Sequence, residues 1–509
     1  MKTSLWNEGL NHLDSDLVEE YVTQKDVYTK KKKNKKPYWF AAVAAVLVLS
    51  IGIGILPHLR EATVQTTNPI VQGSGPAAIP DPSGIQLPDT LLLANLVSSP
   101  AYPALVQKPN YDDYSSDLNA YTVASQAWHN SQKQQYDQPD GYADSLTDFF
   151  YISMAQFLQG DGNTAYSPLN VYMAMAMLAE TAGGNSRQQI LDLFGVDTIA
   201  QLREQASHVW NAHYSNDSET TLLMANSIWL DDCFSFHQNT TDLLSQHYFA
   251  SAFHGDLGTD NMDKQLQTWL DANTGGLLKD QAQDIKLDPY TVFALASTVY
   301  FSAGWDDAFS TGNTKDAIFH CEDKDLLTPF MNQAFSRHSY YWSENFSAIS
   351  LELTGDNSMW LILPNNGYTV EDILESDDYL RMTMDPGSWE NQREYTIHLS
   401  LPKFDVVSQY DMIEGMKKLG ITDIFDSDIS DFTPMTNTPN LYVGQINHAA
   451  RVAIDEDGCI ASAFTVIANY ASGAPAVIEE IGFILDQPFL FIISSRDNLP
   501  LFAGVVKEP

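Results

Sequence analysis

The sequence has little of what builds covalent staples or metal sites. Its 509 residues include three cysteines, Cys233, Cys321 and Cys459, odd in number and widely separated. Such spacing supplies neither a disulfide framework nor a zinc cluster, so free and mostly buried thiols are expected, with stability coming from packing. Positive charge is also scarce, with 27 Lys and Arg against 65 Asp and Glu and a formal net charge of −38. Six of the 27 sit in one block at residues 30–36, which leaves 21 for the rest of the chain. Phosphate contacts need clustered cations, so the main body is not expected to bind nucleic acid. A strongly acidic surface kept soluble by self-repulsion is the plainer reading. Catalytic signatures are missing too: there is no G-x-S-x-G elbow, H-E-x-x-H helix, P-loop or complete C-x-x-C. The 12 histidines are scattered without helical ligand spacing. An enzyme is not expected, nor a cofactor or metal. Asp426–Ser427–Asp428–Ile429–Ser430–Asp431 alternates carboxylates as a calcium loop would, but it lacks the central Gly and terminal Glu of an EF-hand.

What is present can fill a large core: 44% of residues are hydrophobic, among them 24 Phe, 24 Tyr and 10 Trp. The most conspicuous apolar run, residues 38–56, carries no charge over 19 residues and comes directly after the lysine block. As a helix rising 1.5 Å per residue it would reach about 28 Å, close to the thickness of a bilayer's hydrocarbon. The positive-inside rule puts the lysines in the cytoplasm and everything after Pro57 outside. A cleavable signal peptide and a buried soluble helix are the competing readings. This divides the chain into a cytoplasmic tail at 1–36, a single transmembrane helix at 37–57, a Pro-rich extracytoplasmic linker at 58–140 and a folded domain at 141–509. The expected location is therefore a cell membrane crossed once. The linker's prolines predict an extended stalk, although the aromatics between Tyr111 and Tyr136 allow packing on the domain or a short helix.

Within the domain, Ser167–Pro168 gives an N-cap with Pro at the first helical position, and Gly183–Gly184 closes that helix. Strand-like stretches at 222–230, 291–301, 347–353, 358–363 and 394–401 alternate with helical ones at 263–272 and 409–419, and strands run from 441 to the end. Helices first and strands later predict an α+β domain; no internal repeat is found.

The stretch from Asn447 to Phe491 is the most unusual. Val452–Ile454 is β-like, and Asp455–Glu456–Asp457–Gly458 reads as a stop where the strand turns out into solvent. Residues 459–467 have strand composition in a loop position. Side chains alternate across a strand, so Cys459, Ala461, Ala463 and Thr465 share one uniformly small face, with Ile460, Ser462, Phe464 and Val466 on the other. Such a segment could slide between two strands over a packed core. The run then loosens through Asn469–Tyr470–Ala471–Ser472–Gly473–Ala474–Pro475, which suits a protease-accessible tip.

These residues also resemble a family. Glu456–Asp457–Gly458 with its small successors, Gln487–Pro488–Phe489–Leu490–Phe491 and Leu501–Phe502–Ala503–Gly504–Val505–Val506 look like the hinge, reactive-centre loop and C-terminal strands of a serpin, a serine protease inhibitor. The resemblance extends, in the family's order, to Asn163–Leu169 with its Met/Ala-rich helix, LMANSIWL at 223–230, VYFSAGW at 299–305, WLILP at 360–364, Leu401–Pro402–Lys403–Phe404 and LGITDIF at 419–425. It covers roughly residues 141–509 and looks like a membrane-anchored, bacterial-type member.

The resemblance implies several helices packed on a large central mixed sheet, smaller sheets and an exposed reactive-centre loop. It further implies a suicide mechanism in which a protease cleaves the loop and forms an acyl-enzyme. The freed strand then inserts into a gap in the sheet and drags the enzyme with it. About 14 inserted residues at roughly 3.3 Å each would carry it about 45 Å. The hinge would be Glu456, Asp457, Gly458, Cys459, Ala461, Ser462, Ala463 and Thr465, with Cys459 where the family prefers Thr or Ser. Ser167, Ser297 and His448 would form the polar cluster beneath the sheet that controls its opening; Ser297 stands where the family usually has Asn. Counting the family's span from Glu456 puts the reactive bond at Ser472–Gly473, while counting back from Pro488 lands near Val477; Tyr470 and Ala471 are further alternatives. No Lys or Arg lies between Gly458 and Pro488, so a trypsin-like enzyme has nothing for its specificity pocket. The expected partner is an extracellular elastase-like or subtilisin-like serine protease held by a monomeric inhibitor in a covalent acyl complex. A chymotrypsin-like enzyme using Tyr470 or a papain-like cysteine protease is the fallback. A non-inhibitory serpin-fold binding or surface protein is the alternative of another class.

Overall fold

The computed structural model describes residues 43–53, 95–103, 106–114, 117–216, 220–459 and 479–509. Among these described residues the central sheet has nine strands, numbered here in chain order: β1 Val43–Ile53, β2 Leu96–Ser98, β3 Ser215–Asn216, β4 Thr220–Asp231, β5 Ala250–Gly255, β6 Thr291–Gly304, β7 Phe404–Asp411, β8 Leu441–Ile454 and β9 Gly458–Cys459. Their lateral order is β7-β8-β1-β6-β4-β5-β2, with β9 on β6 and β3 on β4. The β4–β5 pair is parallel and β1 is antiparallel to both neighbours, so the sheet is mixed as expected. A second nine-stranded sheet gathers 315–320, 325–342, 346–353, 357–364, 392–402, 480–484, 489–494 and 500–506 with Thr164–Tyr166.

Helices cover both faces of the central sheet. Helix α1, Pro168–Thr181, starts where the Ser167 side chain accepts from the Asn170 amide, and every residue in it is buried. An all-round apolar helix is what the middle of a large domain requires. Helix α2, Asp260–Asn273, capped by Thr259, presents Met262, Leu266, Trp269 and Leu270 to the opposite face.

The chief correction concerns the run expected to span a bilayer. Residues 43–53 are a strand, not a helix, and they lie in the middle of the central sheet. Among the described residues no helix is long and apolar enough to cross a membrane. Val43, Ala45, Leu47, Leu49 and Ile51 face the main core with α1, whereas Ala44, Val46 and Val48 face the smaller core with α2. A strand buried on both faces must be apolar at every position. Its sequence therefore lacks the alternation that would set it apart from a membrane helix. Val43, Val46, Val48, Ile51 and Ile53 supply the β-branched content that suits the ladder. Residues 1–42 and 54–94, which include the first part of the linker, lie outside the described residues.

Three smaller differences concern 404–411, the linker and the cysteines. Residues 404–411, read partly as helix, form β7, whose alternate residues Phe404, Val406 and Ser408 are buried; the helix there is only Ile413–Lys418. Within the expected linker, Leu96–Ser98 extends the central sheet where a stalk was expected, while Leu118–Tyr136, whose aromatics allowed a packed helix, is one, with the Arg496 guanidinium 3.9 Å from the Tyr136 ring centroid. Finally, Cys233 is exposed and Cys321 half-buried, against the expectation of buried thiols.

Candidate functional site

The site lies at the end of the sheet where β8 stops. After Ile454 the chain does not turn outward as expected. Asp455 and Gly458 exchange backbone hydrogen bonds of 3.3 Å across a tight turn, and β9 comes back onto the sheet, pairing Gly458 with Gly304 and Cys459 with Ala303. Gly458 adopts φ +123°, and a Cβ on it would sit 2.6 Å from the Gly304 Cα and the Trp305 amide nitrogen. The turn requires glycine for conformation and for space.

Four neighbours clamp the turn. Trp305 donates its indole N–H to the Asp455 carbonyl at 2.8 Å and its amide to the Asp457 carbonyl at 3.3 Å, while the Phe309 amide donates to the Glu456 carbonyl at 3.0 Å. The Glu456 carboxylate, buried, pairs with Lys403 and accepts from Thr314 Oγ1 at 2.6 Å. Burial alone would raise the Glu456 pKa, but the bonds from Lys403 and Thr314 outweigh it and hold the group below the ordinary glutamate value. Asp455 behaves oppositely: desolvation raises its pKa, only partly offset by the Asp457 amide. Of the hinge residues, Glu456, Asp457 and Gly458 are thus placed, and so is the backbone of Cys459. Ala461, Ser462, Ala463, Thr465 and the reactive-bond candidates Tyr470, Ala471, Ser472, Gly473 and Val477 lie outside the described residues.

The polar cluster beneath the sheet is partly assembled. The Ser167 amide donates to His448 Nε2 at 3.3 Å, and the Ser167 hydroxyl donates to the Leu501 carbonyl at 2.7 Å. Ser297 does not meet His448. It accepts from Asn170 Nδ2 at 3.0 Å, and Leu47 of β1 stands between the two strands as the register partner of both Ser297 and His448. Full burial drives the His448 imidazole down to about 3, opposed only by the Val46 backbone, so the ring is neutral near pH 7. Tyr166 and Tyr410 stack edge-on against it at 5.5 and 5.6 Å between ring centroids.

Sequence reasoning missed Asn170, Lys403 and Thr314. Asn170 was findable, since it lies one helical turn past the Ser167 cap with its polar side chain amid apolar neighbours. Lys403 stood out only as part of a landmark, because nothing local says that a lysine's partner lies 53 residues onward in sequence.

This geometry can be compared with known proteins. A family model described as Serpin (serine protease inhibitor) matches residues 145–509. Serpin B4 of Homo sapiens is 25% identical over 393 residues, spanning 72% of this chain and 99% of that protein. Leukocyte elastase inhibitor A of Mus musculus is 26% identical over 363 residues, spanning 68% and 93%. Among solved structures, the thermophilic serpin tengpin in its native state has a TM-score of 0.63 at 23% identity, covering 73% of this chain and 95% of that one.

Proposed function

This chain belongs to the serpin family, and from that premise we propose that it is a suicide inhibitor of extracellular serine proteases with small apolar specificity pockets. The observation that carries the proposal is β9: the stem of the loop already pairs with β6 at the mouth of the sheet, in the direction an inserting strand would take. The protease's serine oxygen attacks the Ser472 carbonyl and the Ser472–Gly473 amide breaks. An ester to the enzyme forms, and the new amine of Gly473 leaves with the proton. Insertion of the small-faced strand then carries the acyl-enzyme away from the site of attack and stalls its hydrolysis. No residue of this chain does chemistry; it supplies the bond and the place for the strand to go. The mouse relative is named as an elastase inhibitor, which agrees with the small residues around Ser472. Localisation is part of the proposal: in a membrane-bound form residues 38–56 leave the sheet and cross a bilayer once, with the N-terminus cytoplasmic and the domain outside.

One observation favours a second reading, a serpin-fold protein cleaved without trapping: the central sheet already holds β1 where the loop would insert. Incubation of the chain with elastase-like and subtilisin-like proteases separates the two readings. A complex that survives denaturant supports inhibition, and clean cleavage with free active protease supports the alternative.

A further inference from the structure

β1 and the reactive loop are rivals for one set of positions. Cys459 faces Ala303 on β6, so an antiparallel continuation would bring Ala461 opposite Phe301, where Val43 now sits. In the same register Ala463 would take the place of Ala45, Thr465 that of Leu47 and Ile467 that of Leu49. A loop continuing from β9 would therefore run along the line of β1 and in its direction, and the slot holds one of the two.

We propose that residues 43–53 are a resident occupant of the insertion slot, holding the chain in a form that cannot trap a protease, and that a bilayer arms the inhibitor by drawing this strand out. The proposal rests on the inhibitory reading above. On the core face the occupant is larger than the loop at two positions, Val43 against Ala461 and Leu47 against Thr465. The loop is larger on the other face, Phe464 against Val46 and Ser462 against Ala44. A loop that fills the core less well does not displace the occupant unaided. The occupant needs another apolar place to go, and its own sequence provides for one. Residues 38–56 carry no charge over a length that spans hydrocarbon as a helix, and the six lysines before them favour an anionic membrane surface. The same eleven residues satisfy their backbone in the sheet through two ladders, or in lipid through helical bonds. Withdrawal into lipid vacates the slot, brings Ser297 and His448 to its open edges and leaves β9 poised at its mouth.

The test uses the full chain carrying V48C and A296C, which are direct antiparallel partners. Such positions lie about 4.5–5.5 Å apart at Cα, within disulfide reach. V48C with N447C, partners on the other flank, is the second variant should the first fold poorly. In buffer, oxidation is expected to give an intrachain bridge, identified by peptide mapping against the three native cysteines. The bridged chain should be cleaved in its loop with at least tenfold less trapped protease than the reduced chain in anionic vesicles, where the bridge should not form. Equal trapping by bridged and reduced chains would overturn the proposal. So would a bridge forming as readily in vesicles as in buffer, or one linking two copies. If the bridge forms in buffer and not in vesicles while no state ever traps, the inhibitory reading falls and the occupant stands.

Discussion

Leu47→Ala is the sharpest probe of whether the central strand is where the structure places it. Leu47 is fully buried, faces the main core with α1, and its backbone is fixed by ladders to Ser297 on one side and His448 on the other. A leucine pinned this way leaves a cavity its neighbours cannot close, so the loss belongs within the usual range of about 2–5 kcal/mol, near 3. Unfolding entropy of about 2.1 cal/mol/K per residue, over the 365 residues from 145 to 509, amounts to roughly 0.8 kcal/mol/K. Each kcal/mol then moves Tm by about 1.3 °C, and the variant should melt about 4 °C lower in scanning calorimetry of the lipid-free chain. A lipid-free Leu47→Ala chain that melts with the wild type would refute the placement of β1.

Four further outcomes are expected. Ala461→Glu would force a charge toward the core on insertion at a cost of several kcal/mol, so it should be cleaved without trapping; trapping equal to wild type would show that the loop does not insert there. His448, its pKa pushed down to about 3 in the fold against about 6.5 in the unfolded chain, contributes stability that is complete above pH 6.5. That stability is lost as pH falls toward 3, because the unfolded chain takes up the proton first. The slope is about 1.4 kcal/mol per pH unit, and urea titrations between pH 6 and 4 should show it reduced by that amount in His448→Gln. Glu456, held below the ordinary value, secures the hinge above about pH 4.5 and releases it as pH falls further; Lys403→Met should speed proteolysis of the loop at pH 7, measured as the rate of C-terminal fragment release. If residues 38–56 cross the membrane, protease added to intact cells should reach the chain beyond Pro57, and a mature N-terminus between Pro57 and Pro139 as the main species would contradict the anchor.

The turn at Asp455–Gly458 was legible because Gly458 is a local signal, but the path after it was not, since the expected outward turn folds back onto the sheet as β9. Period-two alternation in 404–411 was equally local, yet the helical residues just after it drew the assignment the wrong way. β1 was illegible for a deeper reason. In a central strand both faces are buried, so its apolar run has no period, and a membrane helix is apolar all round for a similar cause. Only a partner strand distinguishes the two, and the partners, β6 and β8, lie hundreds of residues away. The same distance hid Lys403 from Glu456, and the interposed Leu47 explains why Ser297 and His448, named together from the resemblance, do not touch.

The central claim is that this chain traps a protease by inserting a strand cut at one bond. Wild-type full chain in anionic vesicles, incubated with a subtilisin-like or elastase-like protease, denatured and read by mass spectrometry, tests it directly. The account predicts a covalent complex with a released fragment beginning at Gly473. Cleavage with no complex, or a fragment beginning after a basic residue outside the loop, would contradict it.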